Sequence, residues 1–592
     1  MADTAKGDFW TPSFEVFERD DETILMRQTD ALPDSLPTIA DYLDLWADRD
    51  PDRVWIARRN DTGGWSSITY GQARTQAQTV GSALLRLGLG PKRPLLILSG
   101  NSLEHAICGL ACLYVGIPYA PVSTAYSLVS TDHSKLRDIV ALLTPGAFFA
   151  DDLELYRPAL NAVRIDQTPV IGARNLFGGA IDFNNLLQDD GAQATKARAG
   201  LTRDTVLKYL FTSGSTGSPK AVINTNGMIS ANQAMVRDCY PFMQVEPPIV
   251  LDWAPWNHTA AGNKVTYMVL TNGGTYYLDD GKPSPDGMKV TVANLRDVAC
   301  TWYFNVPAGY DLLVEALEAD AELAQVFFSR LKMLFYAGAG MSQNTWDRLA
   351  AVSKATTGKE ILISSSLGAT ETGPFALTWN EVEPFAGKVG VPGRGLTIKL
   401  VKSGDALELR IKGPSITPGY LGDPVTTAKA FDEEGFYKMG DAIRPEDPKD
   451  LSRGFYFAGR LAENFKLSTG TWVSVGSVRA ALVDSLGGLV RDAIIVGENQ
   501  RELGALLWLS EAGTRLPDAV LTDKLLAGLH AHTKGATGSA SRVCRIAILQ
   551  EAPNLDRGEL TEKGSINQRA LRAARRPEID ALFARDTNNL LS

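Results

Sequence analysis

Tyr209-Leu-Phe-Thr-Ser-Gly-Ser-Thr-Gly-Ser-Pro-Lys220 is the stretch on which the reading of the whole chain turns. A hydrophobic run with strand character enters a loop of small and hydroxylated residues closed by a lysine. Gly214 and Gly217 carry no Cβ, so backbone N–H groups there can approach phosphate oxygens closely. The hydroxyls of Thr212, Ser213, Ser215 and Thr216 add donors, and Lys220 adds a positive charge. The lysine follows Ser-Pro, and no Gly-Lys-Ser or Gly-Lys-Thr occurs, so this is not a Walker A loop. The competing reading is a flexible Ser/Gly surface turn. The buried strand in front and the lysine behind favour a phosphate loop.

Upstream of this loop, helices and strands alternate. Ile39–Asp48 reads as a helix, and Val54–Arg58 and Ser66–Thr69 as short strands around Asn60-Asp61-Thr62-Gly63-Gly64. Tyr70–Leu87 has helical apolar spacing and stops at Gly88, a C-cap signal. Arg93–Leu98, Ser102–Val115 and Ile117–Val122 read as strand, helix and strand, and strand signals return at Ala147–Ala150, Pro169–Gly172 and Val206–Phe211. This order predicts βαβ units and a largely parallel sheet. Leu407–Ile411 and Phe455–Phe457 predict a twisted antiparallel region. Beyond Gly459-Arg460 the pattern changes to a small α+β unit with strands Ala493–Val496 and Ala505–Leu509 and helices Asp518–His530 and Ile566–Ala574. The predicted fold class is α/β: a large N-terminal domain, residues 1–459, and a small mobile C-terminal domain, residues 460–592.

The bulk properties exclude several classes. At 592 residues the chain exceeds the roughly 250–300 at which single cores stop growing, so more than one domain is expected. A net charge of -9 lacks the basic footprint of a nucleic-acid binder. Five cysteines at no paired spacing form no disulfide framework, and Cys108 and Cys112 read as buried core thiols rather than metal ligands. No signal peptide and no apolar run of about 18 residues is visible, which predicts no membrane span and a cytoplasmic location. A homodimer is compatible with the chain.

Two further clusters carry chemistry. In Ser364-Ser-Ser-Leu-Gly-Ala-Thr-Glu371-Thr-Gly-Pro374, a carboxylate stands beside hydroxyls in a Gly-bounded turn after the apolar strand Ile361–Ile363. One carboxylate of this kind can hold Mg²⁺, which uses one or two carboxylates plus substrate phosphates. A solvated loop acid is the bland alternative. In Tyr437-Lys-Met-Gly-Asp441, followed by Gly459-Arg460, a carboxylate can accept both ribose hydroxyls and an arginine can reach ribose or phosphate. Either residue alone is common on surfaces.

The order of phosphate loop, Gly-Ala-Thr-Glu, Gly-Asp and Gly-Arg resembles the adenylate-forming superfamily of acyl-CoA synthetases, peptide-synthetase adenylation domains and luciferases. The resemblance spans residues 35–575. It implies that Thr212–Lys220 embraces the ATP phosphates, that Gly338-Ala339-Gly340 lines the adenine, and that Leu367, Gly368, Ala369 and Thr370 border the nucleotide. Thr370 would touch the α-phosphate, Glu371 would hold Mg²⁺, and Asp441 would bind the ribose with Arg460 beside it. His258, in Trp253-Ala-Pro-Trp256-Asn257-His258, falls at the gate of the acyl pocket; a core or surface histidine is the rival. Trp256, Asn257, Asn305, Tyr310 and Phe375 are expected around that pocket, with plain core aromatics as the alternative. The segments Trp253–Thr259, Phe465–Gly476 and Gly558–Arg569 are most similar to feruloyl-CoA synthases.

The resemblance further implies an acid–CoA ligase using ATP, Mg²⁺ and coenzyme A, acting on a hydroxycinnamate such as ferulate. Lys563 would stabilise the adenylation transition state, although many relatives place this lysine after the glycine; here Ser565 follows Gly564. A solvated loop lysine is the other reading. Ala462 stands at the hinge where a charged residue is frequent, the loop from Lys466 to Gly470 is one residue longer than usual, and Ser477 replaces a frequent glutamate. Two alternatives remain: an adenylation enzyme loading a carrier protein, and a non-catalytic ATP-binding regulatory relative.

Overall fold

The computed structural model describes residues 7–163, 167–212, 218–403, 406–549, 551–561 and 566–584. Its N-terminal part is built on three sheets. The phosphate-loop strand Val206–Thr212 lies inside a seven-stranded sheet between Lys220–Thr225 and Tyr119–Pro121, followed by Leu95–Ile97, Ala147–Asp152, Val170–Arg174 and Ile181–Asp182. All its pairings are parallel except Val206–Thr212 with Lys220–Thr225. The expected βαβ pattern is therefore present, and the phosphate loop is the connection of an antiparallel edge pair.

Helices cover this sheet for reasons visible in the residues. Tyr70–Arg86 opens at Thr69, whose hydroxyl accepts from the Gln72 N–H while the Gln72 side chain returns to the Thr69 N–H. That reciprocal cap satisfies two orphan donors. Leu103–Val115 opens on Ser102 and closes on Gly116 at φ 75, and its buried face includes Cys108 and Cys112. All five cysteines are free thiols, four of them buried.

A four-stranded sheet comprises Ile249–Asp252, Thr275–Leu278, Val54–Arg59 and Trp65–Thr69. An eleven-stranded sheet joins a parallel part, Trp302–Asn305, Met333–Tyr336 and Leu362–Leu367, to an antiparallel part that includes Tyr437–Pro445 and Phe455–Arg460. The expected apolar strand Ile361–Ile363 is observed as Leu362–Leu367. Ser364 and Ser365 continue it because their hydroxyls donate to the carbonyls of Trp379 at 2.5 Å and Tyr336 at 3.0 Å. A polar residue so satisfied can occupy a buried strand.

After Arg460 the chain leaves the large sheet. Val490–Val496, Leu503–Leu509 and Val543–Ile548 form a separate three-stranded sheet. Helices Val475–Ser485 and Asp518–Gly535 pack one of its faces, and Gln568–Ala574 and Arg576–Ala584 the other, giving two apolar clusters of their own. The helix expected over Ile566–Ala574 begins at Gln568, capped by the Asn567 side chain.

The segment Asn554–Leu560 of this small unit docks on the N-terminal part. Leu555 is buried in the same apolar cluster as Tyr209, Ala221 and Leu421. The Asp556 carboxylate accepts from Ser130 Oγ at 2.6 Å, Thr131 Oγ1 at 2.9 Å and the Thr131 N–H at 3.0 Å. Lys135 Nζ donates to the Leu555 carbonyl at 2.9 Å. Within the unit, the buried Glu559 carboxylate accepts from the Asn554 N–H at 2.9 Å and pairs with Arg575 at 3.2 Å. Removing one partner of a buried pair costs about 3–5 kcal/mol, whereas an exposed pair is worth about 0–1 kcal/mol. Arg575→Met should therefore lower the stability of the small unit by about 3 kcal/mol in urea unfolding. Loss of the exposed Arg557–Glu551 pair through Arg557→Ala should change it by under about 1 kcal/mol.

Candidate active site

The turn after Leu362–Leu367 is closed on itself. Thr370–Thr372 form a single tight helical turn, followed by a cis Gly373–Pro374 bond. A Cβ on Gly368 would fall 1.6 Å from the Pro374 carbonyl oxygen, so only glycine fits there. The buried Asn232 side chain donates to the carbonyls of Thr372 at 3.0 Å and Phe375 at 2.8 Å, holding the turn from below.

This turn buries Thr370 and Glu371. Glu371 Oε1 accepts from the Tyr420 hydroxyl at 2.8 Å, and the Glu371 carbonyl accepts from the Thr417 N–H at 2.8 Å. The Thr417–Leu421 segment is in turn bound to the strand leaving the phosphate loop: Leu421 N–H donates to Ala221 and Ile223 N–H to Gly419. Burial first, then the Glu371 carboxylate, pushes the Tyr420 phenol well up, so it stays a donor. Lys220 Nζ lies 5.2 Å from the centre of the Tyr420 ring. Thr212 and Lys220 are themselves paired across the two strands, so both described ends of the phosphate loop face Tyr420 and Glu371 together. Ser213, Gly214, Ser215, Thr216 and Gly217 lie outside the described residues.

The third motif joins the same region. Asp441 and Arg460 are opposite each other on Tyr437–Pro445 and Phe455–Arg460, with Arg460 Nε 3.6 Å from Asp441 Oδ1. Burial pushes the Asp441 carboxyl up to about 6; Arg460 opposes this, while Glu463 and Glu371 add to it. Glu371 also raises the Tyr437 phenol after burial, which places Glu371, Tyr420, Tyr437 and Asp441 in one electrostatic group. Arg460 is mostly exposed and free to reach an anion. Gly338, Ala339 and Gly340 follow the strand Met333–Tyr336 as an exposed loop, with Gly338 at φ 91. Leu367, Gly368 and Ala369 are part-buried at the rim of the Glu371 turn.

The residues expected around an acyl pocket divide. His258 is part-buried, its Nδ1 accepting from the Ala260 N–H at 3.3 Å, and the adjacent Asn257 is also part-buried. Phe375 is wholly buried under the Glu371 turn. Trp256, Asn305 and Tyr310 are buried and held by hydrogen bonds. Trp256 Nε1 donates to the Tyr276 hydroxyl, which donates to Asp252, and its ring meets His105 edge-on. It lines a cavity of about 40 Å³ with His105 and Tyr267. The Tyr310 hydroxyl donates to the carbonyls of Tyr303 and Phe335, and the ring packs in a cluster separate from that of Phe375. Asn305 braces Trp253, Tyr303 and the Val306 N–H. An aromatic residue in a sequence carries no mark of the sheet face it will occupy.

At the hinge, Ala462 is exposed in the turn after Arg460. Lys466 lies in a short hairpin, 5.7 Å from the Trp472 ring, and Gly470 at φ 81 makes its turn. Lys563 lies outside the described residues; the docked Leu555 and Asp556 precede it. Tyr420 was not foreseen, and its one signal was an aromatic residue in the turn-like Pro418-Gly419-Tyr420. Among the described residues no cluster of three or more His, Cys, Asp or Glu forms a metal site. A single buried carboxylate, Glu371, fits a Mg²⁺ that takes its remaining ligands from substrate phosphate and water.

Lys220, the buried Glu371 carboxylate and the Asp441–Arg460 pair thus stand in one region, with a segment of the small C-terminal unit docked on the strands beside it. The chain belongs to the AMP-binding enzyme family, whose model matches residues 43–421, with the family's C-terminal domain model matching residues 464–587. It is 25% identical to a 3-hydroxybenzoate–CoA ligase of Aromatoleum, covering 74% of this chain and 80% of that one. It is 22% identical to 4-coumarate–CoA ligase 3 of Arabidopsis thaliana, covering 74% and 76%. The chain spans only 11% and 45% of the length of two larger relatives. The fold matches the crystal structure of the anthranilate CoA ligase AuaEII in complex with anthranoyl-AMP, at TM-score 0.70 and 19% identity over 92% of this chain and 98% of that one.

Asp441 supplies a test with a defined sign. Its folded value of about 6 lies above the usual carboxylate range of about 3.9, so the empty fold favours the neutral acid. That stabilising preference is complete below about pH 3.9 and is lost as pH rises through about 6. Asp441→Asn should therefore leave the melting temperature at pH 7 unchanged or higher. It should weaken ATP binding roughly tenfold or more, since hydrogen bonds to a charged group are worth about 1.5–3 kcal/mol. Calorimetric titration of wild-type protein should show ATP affinity falling as pH drops through about 6.

Proposed function

We propose that the chain is an ATP-dependent acid–CoA ligase that works through an acyl-adenylate, with a planar aryl acid, a hydroxycinnamate such as ferulate, as its substrate. The observation that carries this reading is the convergence of Lys220, Glu371, Tyr420, Asp441 and Arg460 on one site beneath a docked lid segment. The curated relatives that act on 3-hydroxybenzoate and 4-coumarate support the aryl class.

In the first step the substrate carboxylate attacks the α-phosphorus of ATP; the new O–P bond forms as the bond to pyrophosphate breaks. The phosphate loop and Lys220 hold the β- and γ-phosphates, Asp441 accepts the ribose hydroxyls, and Thr370 borders the α-phosphate. Glu371 would hold a Mg²⁺, which supplies charge neutralisation for the phosphoryl oxygens. Tyr420 fixes the Glu371 carboxylate by donating to it. Lys563, delivered by the docked segment ahead of it, would meet the negative charge that grows in the transition state.

In the second step the small domain turns about Arg460–Ala462, Lys563 withdraws, and the CoA thiol attacks the acyl carbonyl. The C–S bond forms, the C–O bond to AMP breaks, and AMP leaves. A few backbone torsions at such a hinge absorb the motion.

Two measurements test this reading. Pyrophosphate release with ATP and Mg²⁺ should occur with hydroxycinnamates and rise when CoA is added; release indifferent to CoA would favour a carrier-loading enzyme instead. Lys563→Ala should lower the rate of adenylation by about 10²–10³-fold, the scale seen when one transition-state donor is removed. Thioesterification of a supplied acyl-adenylate should change far less. Equal losses in both half-reactions would contradict the assigned role.

A further inference from the structure

Lys264 is wholly buried, with 2% of its surface exposed, and among the described residues its Nζ has no hydrogen-bond partner or ion pair. It stands instead among aromatic rings: Nζ is 3.2 Å from the centre of Phe335, 5.0 Å from Phe375, 5.6 Å from Tyr240 and 5.7 Å from Trp302. The Trp302 indole N–H beside it also lacks an acceptor. Burying such a donor unpaired is costly, and more so when it is charged. An unmet amine donor among aromatic rings is complementary to an oxygen acceptor on a flat ligand.

Three segments that carry motifs converge on this amine. Phe335 lies three residues before Gly338, Phe375 follows the Glu371 turn, and Lys264 itself is reached from His258 through the π-helical stretch Ala260–Val265. Such π-helical turns occur frequently at functional sites. This one is held deliberately: a Cβ on Gly262 would fall 2.0 Å from the Trp256 carbonyl oxygen, and Asn263 donates to Asn224 Oδ1 at 2.9 Å. The wider turn sends Gly262 towards Trp256 and Lys264 towards Phe335. Desolvation holds the Lys264 amine well below its usual range, and Cys239 and Tyr240, both kept neutral by burial, are titratable neighbours. An amine in that state both donates N–H bonds and accepts a proton from a weak acid such as a phenol.

We infer that Lys264 is a specificity-determining residue that hydrogen-bonds a phenolic oxygen on the substrate ring, at the end remote from the carboxyl being activated. This inference rests on the aryl-acid ligase reading and deepens it by naming the residue that recognises the ring hydroxyl of the proposed hydroxycinnamate. Sites built to bond a hydroxyl discriminate strongly against the analogue that lacks it, because their polar groups are then left unpaired. A residue that served packing alone would not distinguish the two acids.

The test compares 4-hydroxycinnamate with cinnamate, which lacks only the hydroxyl, in wild-type protein and in Lys264→Met. The wild type should favour 4-hydroxycinnamate by at least tenfold in kcat/KM for pyrophosphate release. Lys264→Met should bring that ratio to about one, by losing activity on the hydroxylated acid and keeping or gaining it on cinnamate. An unchanged ratio in the variant would overturn the assignment. Direct titration of the wild type with each acid needs no variant: tighter binding of the hydroxylated acid supports the assignment, and equal affinities overturn it. Absence of pyrophosphate release with every acid would be a different result, overturning the ligase reading and the substrate assignment with it.

Discussion

The bond from the Tyr420 hydroxyl to the buried Glu371 carboxylate is the interaction on which the site depends. It links two segments that the sequence separates by 49 positions, the turn after Leu362–Leu367 and the Thr417–Leu421 stretch. The second of these is bound through its backbone to Lys220–Thr225, the strand that leaves the phosphate loop. A carboxylate taken out of water needs such a partner, because an unpaired buried charge is very costly. Satisfying Glu371 therefore fixes the spacing between the strand Lys220–Thr225 and the turn that carries Glu371. Gly368 and Asn232 serve the same end from the other side, one by having no side chain and one by tying down the carbonyls of the turn.

The small domain is tied to this arrangement through Leu555 and Asp556. Leu555 shares an apolar cluster with Tyr209 and Ala221, the strands on either side of the phosphate loop. Asp556 bonds to Ser130 and Thr131 near the surface through three polar bonds. Glu559 and Arg575, by contrast, are buried inside the small unit and brace the same segment from within.

Much of this was legible beforehand. Helix ends such as Gly88 and the cap at Thr69 are local signals, and the βαβ pattern follows from period and length, so the seven-stranded sheet could be read directly. The motif residues Lys220, Glu371, Asp441 and Arg460 could be picked out because their order along the chain is distinctive, and the fold brings them together. What could not be read depends on which way a side chain faces after distant strands pair. Tyr310 and Phe375 look equally suitable as pocket aromatics, yet they pack in different clusters. Tyr420 and Lys264 carry no motif, and their places become evident only when Glu371 and Phe335 stand beside them. Ser364 and Ser365 look like loop residues until the carbonyls that accept from them are in place.

The central claim is that this site activates a carboxylic acid by joining it to AMP. The direct measurement is a rapid acid quench of enzyme, ATP, Mg²⁺ and 4-hydroxycinnamate without CoA, with the products identified by mass spectrometry. An acyl-AMP accumulating to about one per chain with matching pyrophosphate, and converting to acyl-CoA and AMP when CoA is added, is the expected result. Formation of ADP and inorganic phosphate in place of acyl-AMP and pyrophosphate would contradict it.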